Sequence, residues 1–164
     1  AHIVARSAAG CVAYADAPGL IRDLVIEDMS LRLFRSAHVE AMGGNFDLRP
    51  TSDPARTVFA HAIPAIALHK VTDFELRHPR IEWGENLPGY YTEAVHAESC
   101  ADGAIEGLRG GACDPARPAV ALEDCRNLRI AIRGAHPPRS ADPEAPEAPV
   151  AMDGQCRDCT ARTS

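Results

Sequence analysis

Apolar and polar residues alternate in short runs along much of this chain. Ile66 and Leu68 are separated by one residue, as are Phe74 and Leu76, and a polar turn containing Asp73 lies between the two runs. A period of two places alternate side chains on one face and is typical of a β-strand, whereas a helix would need apolar spacings of three and four. The pattern therefore predicts short strands with one apolar side.

The same pattern occurs three times without a gap, in segments 65–76, 94–105 and 119–130. An earlier copy, at 21–31, keeps the second half of the segment. A marker acid or amide recurs in all four copies at intervals of 50, 29 and 25 residues, and stands at Asp23, Asp73, Asp102 and Asn127. The first interval is about double the others, which indicates a long insertion within that coil.

A repeat of this length with one apolar side cannot bury that side alone and must stack on its neighbours. Leucine-rich repeats have a similar length, but their Leu/Asn framework and helical return are absent from this sequence. We therefore predict an all-β fold, a right-handed parallel β-helix, with coils at 64–83, 92–110 and 118–134. Residues 34–63 break the period and are predicted to form an excursion loop, where solenoids usually place binding groups.

The chain divides into two regions by composition. Residues 1–134 are predicted to form the coils, and residues 135–164 form a tail rich in Pro, Ala and acidic residues. A segment with so few large apolar side chains cannot build a core, so the tail is predicted to be disordered. The chain starts at Ala1 without a signal peptide and is interpreted as the C-terminal portion of a longer protein.

The charge pattern excludes some classes of partner. The formal net charge is -6, only one of the 17 basic residues is lysine, and no basic cluster suits a phosphate backbone. No nucleic-acid partner is expected. No apolar run reaches the length of a membrane span, so no membrane partner is expected either. The sequence predicts no metal site and no cofactor.

Six cysteines are present. Cys100 and Cys125 occupy the inward repeat position of Val71, so stacking would place them about 4.8 Å apart. A buried ladder of thiols that fill a small core position is favoured over a disulfide, because Cys behaves as a small hydrophobe. Cys156 and Cys159 have the spacing of a metal-ligand or redox pair, but no second pair accompanies them.

The chemistry of a solenoid depends on the side chains that point outward. If Ile66 and Leu68 point inward, then His69, Glu98 and Glu123 form one outward column, with His96 beside it. Two carboxylates on adjacent rungs repel each other, which can raise the pKa of one of them, as a general acid requires. The alternative, which the residue types favour, is a solvated outer face with weak His/Glu pairing.

A group of aromatic residues lies between two coils. Trp83, Tyr90 and Tyr91 fall within nine residues that also contain Glu and Asn. Flat rings beside such groups suit the apolar face and the hydroxyls of a sugar, although Trp83 holds an inward register and is favoured as a cap on the core. Further polar candidates for substrate binding flank or lie within the excursion: Asp47, Arg49 and His61.

The coil pattern, (Gly/Ala)-Ile-x-Φ-x-x-x-x-(Asn/Asp)-Φ-x-Ile with Φ apolar, resembles that of the pectin-lyase-like β-helix superfamily, and especially the polygalacturonase-like family of glycoside hydrolases. Local segments of bacterial members are also similar to Gly44–Pro50, Phe59–Pro64 and Glu82–Pro88. The resemblance covers about Leu20 to Gly134. It implies hydrolysis of an acidic plant-type polysaccharide such as pectin, and a secreted or periplasmic location.

The catalytic signature of that family is missing. Polygalacturonases carry Asn-Thr-Asp on the strand that matches 92–94, followed by Asp-Asp, Gly-His-Gly and Arg-Ile-Lys motifs, and none of these occurs here. Glu93 stands near the position of the Asp, so the weak catalytic candidates are Glu93, Glu98 and Glu123. Carboxyls on adjacent rungs also suit a retaining geometry better than the inverting one that the resemblance implies.

Three functional classes therefore remain. The chain is part of a carbohydrate-active β-helix enzyme with its catalytic groups elsewhere, a noncatalytic polysaccharide-binding β-helix, or a structural solenoid without a ligand. In the first two classes the partner is a polysaccharide or oligosaccharide. By itself, the chain is expected to be inactive as an enzyme.

Overall fold

The computed structural model of the protein describes residues 3–41, 62–132 and 149–163. Within these ranges the chain forms thirteen strands and one short helix. In chain order they are β1 (Ile3–Ser7), β2 (Cys11–Tyr14), β3 (Ile21–Glu27), β4 (Met29–Leu33), α1 (Ala37–Ala41), β5 (Ile66–His69), β6 (Val71–Arg77), β7 (Arg80–Trp83), β8 (Val95–Glu98), β9 (Ala101–Leu108), β10 (Val120–Glu123), β11 (Arg126–Ile132), β12 (Val150–Met152) and β13 (Thr160–Thr163).

All strand pairs are parallel, and the strands form three sheets. Sheet 1 has the order β1-β4-β7, sheet 2 the order β12-β10-β8-β5-β2, and sheet 3 the order β13-β11-β9-β6-β3. The chain visits the sheets in turn, so that β5, β6 and β7 form one rung directly above β2, β3 and β4. This is a parallel β-solenoid, which confirms the predicted fold class. That the β-helix is right-handed stays a prediction.

The interior is built from residues in register on successive rungs. Ile66 lies opposite Val95, and Val95 lies opposite Val120. All three side chains are fully buried. The inward and outward assignment read from the period of two is therefore correct for sheet 2, and the predicted interior ladder is confirmed.

The marker residues lie where the strands of sheet 3 bend. Asp73 has φ 57, Asp102 has φ 55 and Asn127 has φ 51, all in the left-handed region. Asp and Asn enter that region more readily than other residues with a Cβ, because their short polar side chains bond locally. The column also contains Asp23 and Asp158, at φ 55 and 54. The recurring acid or amide is thus a backbone requirement of the coil.

The doubled interval between the first two markers is explained by one long connection. Because β5 pairs directly with β2, the whole stretch of sequence between β4 and β5 falls within a single coil. The short helix α1 belongs to this excursion, and its Val39 is buried against the core. The predicted candidates Asp47, Arg49 and His61 lie outside the described residues.

The prediction of a disordered tail over 135–164 is wrong for residues 149–163. There, β12 pairs with β10, and β13 pairs with β11, so one more rung continues sheets 2 and 3. The sequence did not reveal this rung because its inward positions hold small side chains, such as those of Cys156 and Cys159, in place of branched ones. Residues 135–148 lie outside the described part of the chain.

The paired cysteines occupy the predicted slot. Cys100 and Cys125 are each 1% exposed, both are free thiols, and each touches the other on neighbouring rungs. The hydrogen bond with Cys100, together with burial, raises the pKa of the Cys125 thiol far above its usual range. The expected buried thiol ladder is therefore confirmed, with no disulfide between these two residues.

Candidate functional site

The outer face of sheet 2 carries a row of polar side chains in register. Tyr14 lies opposite His69, His69 opposite Glu98, and Glu98 opposite Glu123. Because the strands are parallel and in register, these side chains lie at intervals of about 4.8 Å along the solenoid. The structure therefore brings together the outward column predicted from the sequence, and adds Tyr14 at one end of it.

Histidines and glutamates pair along this row. His69 Nδ1 lies 3.1 Å from Glu98 Oε2, and His96 Nε2 lies 4.0 Å from Glu123 Oε1. The glutamate side chains are 48% and 55% exposed, whereas the histidines are 18% and 26% exposed. Pairs this exposed contribute at most about 1 kcal/mol each, so their polar atoms can exchange partners with a ligand at little cost.

Small side chains border the row on one side. Ala67 lies opposite His96, which lies opposite Ala121, and Ala121 lies opposite Ala151. His96 is therefore flanked along its row by the methyl groups of Ala67 and Ala121. The polar row and the alanine row together form what we call the sheet 2 face.

Long connections border the sheet 2 face at one edge. Residues 62–65, 84–94 and 109–119 each lead into the first residue of a sheet 2 strand. The strands begin in register, so all three segments reach the sheet along the same line. Loops at one edge of a rigid sheet are a common arrangement for binding, because the sheet fixes the groups that the loops surround.

Glu93 lies at this edge and is held in an ion pair. Its side chain is 9% exposed, and its Oε1 lies 2.8 Å from Arg117 Nη1. Arg117 belongs to the connection before β10, so the pair fastens that connection to the start of β8. A carboxylate held by arginine accepts a strong hydrogen bond, and the arrangement suits a structural role better than proton transfer.

The aromatic group packs on the core instead of forming an open platform. Tyr91 is 1% exposed, and its hydroxyl donates a hydrogen bond to the carbonyl of Ala8 at 2.7 Å. Trp83 packs edge-on against Tyr91, and its Nε1 donates to the carbonyl of Gly111 at 2.8 Å. Tyr90 packs against Tyr91 at 4.8 Å between ring centroids. These contacts favour the capping role that was considered for Trp83.

The buried phenol of Tyr91 predicts a specific loss of stability at high pH. Burial, with a smaller effect of Tyr90, raises the pKa of Tyr91 from 10.0 to about 12. Stabilisation by the neutral phenol is present below pH 10 and is lost as the pH rises to about 12. We expect the free energy of unfolding to fall by about 2 to 3 kcal/mol across that range, measured by urea titration. In Tyr91→Phe this part of the fall should be absent; an unchanged pH profile would contradict the assignment.

Sheet 3 has a groove on its outer face that the sequence analysis did not select, with a volume of about 210 Å³. It lies where Glu75, Ala104 and Arg129 follow one another in register. Its walls include members of the marker column, and Asn127 Nδ2 donates to Asp102 Oδ1 at 2.8 Å. The hydrogen bond with Asp23 raises the pKa of Asp73. The sequence feature that could have revealed this groove is the marker column, because three of its residues line it: Asp73, Asp102 and Asn127. The sequence analysis interpreted them only as turn residues.

Within the described ranges, no group of three or more His, Cys, Asp or Glu side chains is arranged to hold a metal ion. In the same ranges no helix has both the length and the apolar character required to cross a membrane.

Comparisons with known proteins give no family assignment. No family model matches the chain, and no curated protein matches it. A solved structure from Parabacteroides merdae, of a protein described as a "putative glycosyl hydrolase", is similar with a TM-score of 0.45 and 12% sequence identity. The similarity covers 98% of this chain and 73% of that one.

Proposed function

We propose that this chain binds a polysaccharide along the sheet 2 face. The observation that carries the proposal is the polar row of His69, Glu98 and Glu123, which stand in register on three successive rungs. A row that offers hydrogen-bonding groups at a constant interval suits a ligand that also repeats, such as a polymer of sugars. A small ligand would need convergent groups in a pocket.

The chemistry of the row fits hydroxyl groups. Glutamate carboxylates accept hydrogen bonds from hydroxyls, and a neutral imidazole both donates and accepts. The half exposure of Glu98 and Glu123 leaves lone pairs available while each also faces a histidine. The alanine row beside them leaves room for a sugar ring to lie against the sheet.

The charges on this face support an uncharged polymer. Two carboxylates and no arginine stand in the polar row, and Asp124 follows Glu123 at the end of β10. A polymer of uronic acids would bring further negative charge to these carboxylates. The acidic substrate implied by the resemblance to polygalacturonases is therefore the less favoured ligand, and it serves as a contrasting probe.

We propose binding without turnover. Rungs about 4.8 Å apart hold Glu98 and Glu123 too close for inverting hydrolysis, which needs carboxyls roughly 6.5 to 9.5 Å apart. The spacing is nearer the roughly 5 to 5.5 Å of a retaining pair, but such a pair must flank the scissile bond, whereas these two glutamates stand side by side in one exposed row. Glu93, the third candidate, is engaged by Arg117. The purified chain should therefore release no reducing ends from polygalacturonate in a colorimetric assay. Detected turnover that disappears in Glu98→Gln would contradict this and make Glu98 a catalytic residue.

The binding proposal is tested by affinity electrophoresis in gels that contain galactomannan, arabinoxylan, mixed-linkage glucan or polygalacturonate. We expect retardation by at least one of the three neutral polymers and weaker retardation by polygalacturonate. His96→Ala and Glu98→Gln should each reduce the retardation about tenfold, because the first removes an imidazole from the sheet 2 face and the second replaces a charged acceptor by a neutral amide. The matched control is Glu82→Gln, an exposed glutamate on sheet 1.

Three results would decide against the proposal. Retardation by none of the polymers would rule out polysaccharide binding at the sheet 2 face. Equal losses in Glu82→Gln and Glu98→Gln would place the binding surface elsewhere. Stronger retardation by polygalacturonate than by every neutral polymer would overturn the choice of an uncharged ligand.

A further inference from the structure

The thiol ladder has a third member that the sequence did not predict. Arg126 and Arg157 form a parallel bridge, and Arg157 N donates to the carbonyl of Cys125 at 2.9 Å. This register places Cys156 directly above Cys125, in the inward slot that Cys100 fills one rung below. Cys156 Sγ lies 3.6 Å from the carbonyl of Leu122, which belongs to the same lower rung. Three free thiols thus stand in one column.

We propose that Cys125 and Cys156 are a disulfide-forming pair, which closes under oxidation by a low-molecular-weight disulfide and fastens the last rung to the solenoid. The pair links β11 to the turn between β12 and β13. Among the residues that the structure describes, this rung pairs with β10 and β11 alone, and its strand β13 has no buried residue.

Geometry favours this pair over Cys100 and Cys125. A disulfide needs Cβ atoms about 3.5 to 4.5 Å apart, slightly less than the spacing of rungs. The rung with Cys100 is fixed by paired strands on both sides, because β9 pairs with both β6 and β11. Within the described ranges, β12 and β13 of the rung with Cys156 each pair with one strand, so this rung is held by fewer backbone hydrogen bonds and moves more readily by the required fraction of an ångström. Cys156 is also the more exposed thiol, since Cys100 and Cys125 are buried.

The alternative partner for Cys156 is Cys159. Cys159 occupies a different inward slot, since Arg129 lies opposite Thr160 and thereby places Leu128 opposite Cys159. Its Sγ lies 3.4 Å from the carbonyl of Arg157 and 3.6 Å from that of Cys125. Between the two cysteines, Asp158 adopts φ 54, and this bend separates their side chains. The two residues between Cys156 and Cys159 match the spacing of redox motifs. In this coil, however, the same spacing separates two different interior positions.

The reaction proceeds by thiol–disulfide exchange. The Cys156 thiolate attacks oxidised glutathione, forms a mixed disulfide and releases one glutathione thiolate, which takes up a proton. The Cys125 thiolate then attacks the Cys156 sulfur and releases the second glutathione. Two protein thiols are oxidised, and one glutathione disulfide is reduced to two thiols. Burial raises the pKa of Cys156 to about 11, and the hydrogen bond with Cys100 and burial raise the pKa of Cys125 further, so both steps are slow at neutral pH.

The experiment maps the bond in the full chain after overnight incubation with oxidised glutathione. Trypsin cleaves after Arg126 and after Arg157, so Cys125, Cys156 and Cys159 fall on three separate peptides. Mass spectrometry without reduction should find the Cys125 peptide linked to the Cys156 peptide as the main cross-linked product. Fragmentation of that product distinguishes Cys125 from Cys113, which lies on the same peptide.

Three variants separate the possibilities. Cys156→Ala should abolish the cross-link, whereas Cys159→Ala and Cys100→Ala should each retain it. In the oxidised protein, hydrogen exchange at the amides of β12 and β13 should slow at least about tenfold, since the bond restrains local opening of the rung. A main product that joins Cys156 to Cys159, no cross-link at all, or exchange in β12 unchanged by oxidation would each overturn the proposal.

Discussion

Replacing Phe74 with alanine should lower the free energy of unfolding by about 3 to 5 kcal/mol, the largest single effect expected in the chain. The ring is 1% exposed and lies in the interior of sheet 3, in register with Leu24 on one side and Gly103 on the other. Its removal leaves a cavity that the paired strands cannot close. Urea titration followed by circular dichroism measures the loss, with Val25→Ala as a control at an exposed position of β3.

The companion change at Gly103 tests why the site holds a glycine. A Cβ added there would lie well within van der Waals contact distance of the Phe74 ring. Gly103→Ala should therefore cost about 1 to 3 kcal/mol in the natural protein and markedly less in a Phe74→Leu background, because the smaller side chain leaves room. Additive effects of the two changes would show that the glycine is required for another reason.

The second large effect concerns the marker column. Asp102→Val should reduce stability by about 1 to 3 kcal/mol, because a β-branched side chain is strained at φ 55. It also removes the acceptor for Asn127 Nδ2. Asp102→Asn keeps a residue type that tolerates this backbone and should cost only a fraction as much. Thermal unfolding of the two variants against the natural protein provides the measurement.

Equal destabilisation by Asp102→Val and Asp102→Asn would contradict the backbone explanation. It would indicate that the negative charge matters more than the left-handed conformation. Asp102→Gly provides a further contrast: it removes the side chain but accepts the backbone angle, so its cost reports the hydrogen bond and the added flexibility of the unfolded chain.

The fold could be predicted from the sequence because each rung repeats one rule. The period of two identified the inward residues, such as Ile66 and Val95, and the recurring Asp or Asn identified the bend. Stacking then followed, since a single coil cannot bury its apolar side. The doubled interval between Asp23 and Asp73 even located the long connection between two coils. These features are local or strictly periodic, so one sequence suffices to detect them.

The last rung was missed because it has the same pattern of inward positions as the other rungs but fills them with different side chains. Cys156 and Cys159 hold interior positions that Val71 and Phe74 hold earlier, and small thiols give little contrast with the exposed residues around them. The two-residue gap between these cysteines also suggested a metal-ligand or redox pair instead of two packed interior positions.

The burial of Tyr91 could not be predicted from the sequence either, because its hydrogen-bond partner Ala8 is 83 residues away in sequence.

The candidate site was only partly predictable. The column of His69, Glu98 and Glu123 followed from the register, since outward positions alternate with inward ones. The sequence did not reveal that Glu93 is held by Arg117, because that contact depends on how the connection before β10 returns to the sheet. The groove of sheet 3 was missed for a related reason: it depends on Ala104 being small between Glu75 and Arg129 on adjacent rungs.

The most direct test of the central claim is an NMR titration that follows the imidazole resonances of the histidines as each neutral polysaccharide is added. His69 and His96 lie on the sheet 2 face, whereas His78 lies at the turn between β6 and β7 and serves as an internal control. The account predicts that one of the polymers shifts the resonances of His69 and His96 and leaves that of His78 unchanged. Resonances unmoved by every polymer, or a shift of His78 as large as that of His96, would contradict polysaccharide binding at this face.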